Sequence, residues 1–109
     1  MTRPRHLWRL VVGFVAFTAD TVRHLSVVPQ QTRRGYGSAL LEYASREMFD
    51  NGAREAFLWV LTENRSGRDF YAFHGWVDTD EVRDCEYPPY PEERRLRKVN
   101  PAAPRRRAL

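Results

Sequence analysis

The stretch Val27–Leu41 constrains the fold of this chain more than any other segment. It joins an apolar strand, which ends at Pro29, to an apolar-periodic helix that begins at Ser38. The connection is a basic turn in which successive backbone N–H groups point the same way, and the helix adds the positive pole of its N-terminus. The stretch therefore predicts an anion site, best suited to phosphate.

The turn itself carries both charge and conformational freedom. Arg33 and Arg34 place two positive charges beside it. Gly35 and Gly37 lack the Cβ atoms that would block a close approach of a ligand to the backbone or disfavour a positive φ. A phosphate could therefore be held by backbone N–H groups and side-chain charge together.

Two commoner phosphate loops do not fit this turn. A P-loop has Lys followed by Ser or Thr after its second glycine, whereas Gly37 is followed by Ser38 and Ala39. The dinucleotide-binding fingerprint has a third glycine where this chain has Leu40. Nucleotide hydrolysis and dinucleotide chemistry are therefore not indicated.

The segment Thr32-Arg33-Arg34-Gly35-Tyr36-Gly37 resembles the acetyl-coenzyme A loop of the GCN5-related N-acetyltransferases, the GNAT family. That loop reads Gln/Arg-x-x-Gly-x-Gly/Ala, so Thr32 departs from the pattern at the first position. The loop of the family works mainly through backbone N–H groups. The resemblance implies that acetyl-coenzyme A is the co-substrate and is bound by Val27, Val28, Arg33, Arg34, Gly35, Tyr36, Gly37 and Ser38.

A second segment, residues 64–76, resembles the next motif of the same family. The family has Asn, a small residue, Phe-Tyr and then Gly-Phe/Trp at the spacings found here. The resemblance makes Asn64 the helix cap that contacts the pantetheine arm, and Tyr71 the general acid beside the coenzyme sulfur. A phenol with a pKa of about 10 is protonated at neutral pH and can donate. The alternative for Tyr71 is an amphipathic core aromatic on a short helix.

A general base is harder to assign from the sequence. His24 and Ser26 alternate onto one face of a predicted strand, and in the family that face looks toward the acceptor. His24 is the best candidate because imidazole titrates near neutral pH, although a lone histidine on a strand is more often a surface residue. His74 lies at a predicted helix end, where it fits a capping or surface role.

The periodicity of the remaining chain predicts a single α/β domain. Strands are predicted at 10–18, 21–28, 56–61, 76–82 and 94–99, and helices at 38–50 and 64–74. The resemblance covers about 10–99 and implies the mixed sheet of the family with helices on both faces. Residues 1–9 would be a short basic segment and residues 100–109 a basic Pro/Ala/Arg tail.

One part of the family architecture has no counterpart in this sequence. The first strand and two helices of the family normally precede the strand at Leu10, and only Met1–Arg9 do so here. The domain is therefore expected to be N-terminally incomplete, which leaves open a shortened chain, cover from another subunit, or an incomplete domain. An uncovered apolar face around Leu10–Phe17 would favour a homodimer.

Charge and cysteine content limit the binding partners and the cellular compartment that the sequence suggests. The net charge is +4, but residues 94–109 carry seven basic and no acidic residues, so the rest sums to −3. We favour a solvated last strand and tail over a nucleic-acid surface. Cys85 is the single cysteine, which fits a reducing compartment, and we expect a cytoplasmic protein. Metal-ligand spacing, a membrane span and a signal peptide are not indicated.

Two functions follow from these observations. The first is an N-acetyltransferase that transfers an acetyl group from acetyl-coenzyme A to a primary amine of a small molecule, peptide or protein. The second is a catalytically silent acetyl-coenzyme A-binding remnant, or a subunit of a larger assembly. The coenzyme loop and Tyr71 favour the first function, and the short N-terminal part favours the second.

Overall fold

The computed structural model describes residues 13–27 and 35–102. They form five strands and two helices, and each helix lies in the chain between two strands, with a pair of consecutive strands at either end. The elements are β1 (Gly13–Phe17), β2 (Thr21–Val27), α1 (Tyr36–Asp50), β3 (Glu55–Leu61), α2 (Arg65–Phe73), β4 (Val77–Asp84) and β5 (Glu92–Val99).

The strands form one mixed sheet in the order β1-β2-β3-β5-β4. The two central strands β2 and β3 are parallel, because α1 carries the chain back across the sheet between them. The other three pairings are antiparallel. This confirms the predicted mixed α/β class, and the observed bounds differ from the predicted ones by a few residues.

The core lies between the sheet and the two helices. Alternate residues of β3 point into it, because side chains alternate across a strand. The buried cluster consists of Val22, Leu41, Ala44, Met48, Ala56, Leu58, Val60, Trp76 and Leu96, and Phe70 and Tyr71 of α2 pack against it. Since α1 and α2 contribute to this one cluster, both helices cover the same face of the sheet.

The opposite face of β3 is covered differently. Its side chains Phe57 and Trp59 are half-buried, and each lies under a guanidinium group, Arg95 over Phe57 and Arg83 over Trp59. The sequence predicted helices on both faces, but the described residues place helices on one face only. On this face the aliphatic stems and the charges of the arginines cover the strand in place of helices.

The basic residues at the end of the domain are mostly paired within the sheet. Arg94 pairs with Asp78, Arg95 with Glu81, and the Nη1 of Arg97 lies 3.8 Å from Glu55. These pairings agree with the expectation of a solvated last strand. The basic tail lies outside the described residues from position 103 onward.

Candidate active site

A β-bulge in β2 shapes the centre of the sheet. Ala16 pairs with His24 but Phe17 pairs with Val22, so Arg23 is an extra residue in β2. A bulge bends its strand and increases the local twist. The parallel pairing with β3 stops at the same place, because Val22 opposite Leu58 is the last paired position. The two central strands therefore separate beyond Val22.

The separation leaves a cavity of about 240 Å³ between β2 and β3, which we call the strand slot. Polar side chains from three parts of the fold line it. They are Arg23 and His24 from β2, Asn64 and Tyr71 from the N-cap and the middle of α2, and Glu93 from β5. The structure thus brings together three of the site residues predicted from the sequence, although they come from different elements. Glu93 was not among the predicted residues.

Tyr71 lies between the core and the strand slot. Its ring makes edge contacts with Phe70 and Trp76, at 5.3 and 6.4 Å between centroids, and these contacts fix its position on α2. Burial raises the pKa of the Tyr71 phenol, since the phenolate would lose hydration. The hydroxyl is therefore a proton donor throughout the neutral range.

Asn64 is the N-cap of α2, as the sequence predicted. Its Oδ1 accepts hydrogen bonds from the Gly67 N–H at 3.0 Å and from the Ser66 hydroxyl at 3.3 Å. A Cβ at position 67 would lie only 2.8 Å from the Asn64 Cγ, which explains why this position holds glycine. The contact of Asn64 with the pantetheine arm stays a prediction.

Two substitutions separate the two roles of Asn64. Asn64→Ala removes the cap and should lower the free energy of unfolding by about 1 kcal/mol. Asn64→Asp keeps an acceptor for the Gly67 N–H and should leave stability nearly unchanged, while its lost NH₂ donor weakens acetyl-coenzyme A binding. Urea denaturation and calorimetric titration measure the two effects. Full coenzyme affinity in Asn64→Asp would assign the residue to capping alone.

The predicted anion site falls at the N-terminus of α1, and the binding of an anion there stays a prediction. Gly35 is its N-cap, with φ of 82°, a left-handed conformation that glycine adopts without steric cost. The carbonyl of Gly35 accepts the first helical hydrogen bond, from the Ala39 N–H at 3.0 Å. The helix begins at Tyr36, two residues before the predicted start. Val28, Arg33 and Arg34 lie outside the described residues, and their roles stay predictions.

A second cavity, of about 540 Å³, lies at this end of the helix, and we call it the helix-end cavity. Its lining is mostly apolar and aromatic, with a few polar groups. It is formed by Leu25, Val27, Gly35, Gly37, Ser38, Phe70, Phe73 and His74. Leu25 also lines the strand slot, so the two cavities are adjacent. An extended ligand could reach from the anion site to Tyr71.

Gly37 lies where the start of α1 packs against α2 and β2. A Cβ at this position would lie 3.5 Å from the Phe70 ring and 3.8 Å from Val27, which are ordinary van der Waals contacts, so packing alone does not require a glycine here. The start of α1 therefore approaches both α2 and the end of β2. This approach brings the anion site and the helix that carries Tyr71 together.

His74 has a contact that sequence reasoning missed. It is the C-cap of α2, in agreement with the predicted capping role, and its Nε2 lies 2.9 Å from the Ser38 Oγ on α1. The hydrogen bond ties the end of α2 to the first turn of α1, beside the helix-end cavity. The 36-residue separation left no local pattern that could have revealed it.

His24 lies at the opposite side of the strand slot from the helices. Its ring stacks on Phe14 at 4.9 Å with an angle of 3° between the planes, and it is exposed. Phe14 is paired with Ser26, so His24 and Ser26 share the face without helices. His24 lines the strand slot from this face, and its role as base stays a prediction.

The comparison with family models matches residues 9–76 to the acetyltransferase (GNAT) family. The matched segment includes the predicted anion site, α2 and the strand-slot residues other than Glu93. This chain belongs to the GNAT acetyltransferase family. A comparison with the sequences of characterised proteins found no significant match.

Solved structures share the fold of this GNAT chain at low identity. Ard1 from Thermoplasma volcanium is 22% identical with a TM-score of 0.70, and the match covers 81% of this chain and 62% of Ard1. The ribosomal-protein-S18-alanine N-acetyltransferase from Escherichia coli is 22% identical with a TM-score of 0.66, and the match covers 89% of this chain and 65% of that protein. The protein yncA from Salmonella typhimurium, solved with its cofactor acetyl-CoA, is 15% identical with a TM-score of 0.72, and the match covers 92% of this chain and 64% of yncA. The chain therefore spans less than two thirds of the length of each.

Two kinds of site are not seen in the described residues. Within residues 13–27 and 35–102, three or more His, Cys, Asp or Glu side chains are nowhere grouped so that they could hold a metal ion. Neither described helix has the length and apolar character needed to cross a membrane.

Proposed function

We propose that this GNAT chain transfers an acetyl group from acetyl-coenzyme A to a primary amine. The observation that carries the proposal is the strand slot, in which the bulge of β2 separates two parallel strands and Tyr71 lines the opening. The slot is joined through Leu25 to the helix-end cavity. This arrangement provides a place for an activated acyl group and a proton donor beside it.

The described residues fit the coenzyme at two points. The left-handed Gly35 and the N–H groups of the first turn of α1, which have no acceptor within the helix, suit a pyrophosphate. The separated end of β2 leaves backbone groups facing the slot, so Val27 can pair with an extended amide-containing arm. We assign Gly35, Tyr36, Gly37 and Ser38 to the pyrophosphate, with Arg33 and Arg34 beside it and Val28 next to Val27.

The chemistry needs three contributions from the protein. Acetyl-coenzyme A supplies the activated acetyl thioester, and an amine must reach it as a neutral nucleophile. The backbone N–H groups of β2 at the slot stabilise negative charge on the thioester oxygen. Tyr71 donates its proton to the departing sulfur, and His24 receives the proton of the amine from the face without helices.

We propose an acceptor that carries a primary amine on a small molecule, peptide or protein, and a cytoplasmic location for the chain. Support for the acceptor class comes from fold relatives whose names state a peptide or protein acceptor, such as the ribosomal-protein-S18-alanine N-acetyltransferase. The homodimer expected from the sequence also stays a proposal. Phe14, 51% exposed on the face without helices, is one apolar side chain that a second copy could cover.

A direct assay tests the proposed function against the silent-binder alternative. The chain is incubated with acetyl-coenzyme A and a panel of alkylamines, amino acids and peptides, and the acetylated products are detected by mass spectrometry. Product that depends on the chain is expected. Calorimetry that shows coenzyme binding, together with no product from any amine, would instead support the binding remnant or a subunit that needs its assembly.

A further inference from the structure

An ion pair lies at the mouth of the strand slot, on the face without helices. Arg83 donates from Nε to the Glu93 carboxylate at 2.7 Å, and its guanidinium lies 3.8 Å from the centroid of the Trp59 ring. The Glu93 side chain is 14% exposed and the Arg83 side chain is 51% exposed. The carboxylate is therefore inside, next to the slot, and the cation is its outer cover.

The same three-residue pattern occurs a second time on this face, away from the slot. Arg95 lies 3.8 Å from the centroid of Phe57 and its Nη1 is 3.1 Å from Glu81. In this second pair the carboxylate is the more exposed partner, since the Glu81 side chain is 52% exposed and the Arg95 side chain is 32% exposed. Glu81 lines neither cavity of the candidate site, whereas Glu93 lines the strand slot. Only the inner carboxylate faces the predicted chemistry.

We propose that Glu93 and Trp59 form a subsite for the positive charge of the acceptor amine, and that Arg83 is its internal occupant. An aromatic face beside a carboxylate is a favourable environment for an ammonium ion. A free amine is protonated at neutral pH and so approaches the protein as such an ion. The inference rests on the proposed function, and it names the acceptor class as alkylammonium compounds.

The acceptor enters the subsite when its ammonium group replaces the Arg83 guanidinium beside Glu93. A carboxylate that is largely removed from water needs a partner, and the incoming ammonium replaces the guanidinium in that role. Arg83 is half-exposed, so its guanidinium can turn to solvent and be hydrated there while the ammonium takes its place beside Glu93. A neutral molecule of the same shape would leave Glu93 without a partner and should not displace Arg83.

The experiment follows the Trp59 indole N–H signal by NMR while 1-butylamine, protonated at pH 7, or the neutral 1-butanol is added. Trp59→Phe assigns the signal among the three tryptophans of the chain. Butylammonium should shift the signal with saturation, and butanol should not. Arg83→Gln should tighten butylammonium up to about five-fold, since a weak competitor is removed. Glu93→Gln should weaken it about ten-fold.

The second pair supplies the matched controls. Arg95→Gln and Glu81→Gln remove the same two charges with the strands exchanged, Arg95 being on β5 and Glu81 on β4. Neither side chain lines the strand slot, so both variants should leave the titration unaltered. A gain in affinity in Arg83→Gln cannot come from misfolding, so the proposal stays testable if Glu93→Gln is unstable. Equal shifts with butylammonium and butanol, or the same gain in Arg95→Gln as in Arg83→Gln, would overturn the subsite.

The outcome is separable from that of the proposed function. The titration needs no turnover, so a saturating response without acetyl transfer would keep the subsite and remove the activity. If the chain acetylates butylamine, Glu93→Gln should raise KM for that amine about ten-fold while KM for acetyl-coenzyme A stays constant. An unchanged KM for the amine would remove the subsite and keep the activity.

Discussion

Replacement of Tyr71 by Phe is expected to lower kcat on the order of 100-fold or more, with little change in acetyl-coenzyme A affinity. The phenol lies at the strand slot, and its ring is held by Phe70 and Trp76. Phenylalanine keeps those ring contacts and removes only the hydroxyl. The departing thiolate would then have to take its proton from water.

Steady-state acetyl transfer and calorimetric titration of acetyl-coenzyme A measure the two quantities. Tyr43→Phe is the matched control, because Tyr43 is a half-exposed tyrosine on α1 that makes an edge contact with Phe17. It should change neither kcat nor affinity. Turnover of the Tyr71→Phe chain at the unaltered rate would exclude the acid role.

The pH dependence of the unaltered chain has a definite sign. Tyr71 acts as an acid only while protonated, so its contribution is lost as pH rises through its pKa. Burial raises that pKa above its ordinary value of about 10, which moves the loss further into the alkaline range. Between pH 7 and about pH 9, kcat should therefore show no fall that depends on Tyr71. Such a fall in that range, absent from Tyr71→Phe, would contradict the raised pKa.

The sequence predicted those parts of the fold that depend on local pattern. The glycine-spaced turn placed the start of α1 within two residues, and Asn64 followed by Gly67 placed the N-cap of α2. Hydrophobic periodicity predicted one buried face of α1 made of Leu40, Leu41, Ala44 and Met48, of which the last three are buried and Leu40 is half-buried. These features arise from interactions between residues close in sequence, so a single sequence contains the information for them.

The parts that the sequence did not show depend on contacts between distant strands. The bulge at Arg23 is visible only in the register between β1 and β2, because nothing in the local pattern requires an extra residue there. The position of Glu93 beside the slot depends on the antiparallel register of β5 on β3. The cover of Phe57 and Trp59 by arginines was likewise not predicted, since a both-sided apolar strand usually indicates helices on both faces.

Two glycines at the ends of α1 allow a matched test of the predicted anion site. Gly35 and Gly52 lie at opposite ends of α1, and both have positive φ, 82° and 102°. Among the described residues, 13–27 and 35–102, a Cβ added at either position meets nothing within 4 Å. A substitution at either site is therefore strained by backbone conformation alone, and the two sites differ only in which end of the helix they occupy.

Gly35→Val and Gly52→Val are each expected to lower the free energy of unfolding by about 2 kcal/mol, because a β-branched residue is poorly tolerated at positive φ. Only Gly35→Val should weaken acetyl-coenzyme A, on the order of 30-fold, since its side chain disturbs the N–H groups that bind the pyrophosphate. Denaturant titration and calorimetry measure the two effects. If both variants lost the same affinity, the loss would reflect general destabilisation. Full affinity in Gly35→Val would remove the N-terminus of α1 from the coenzyme site.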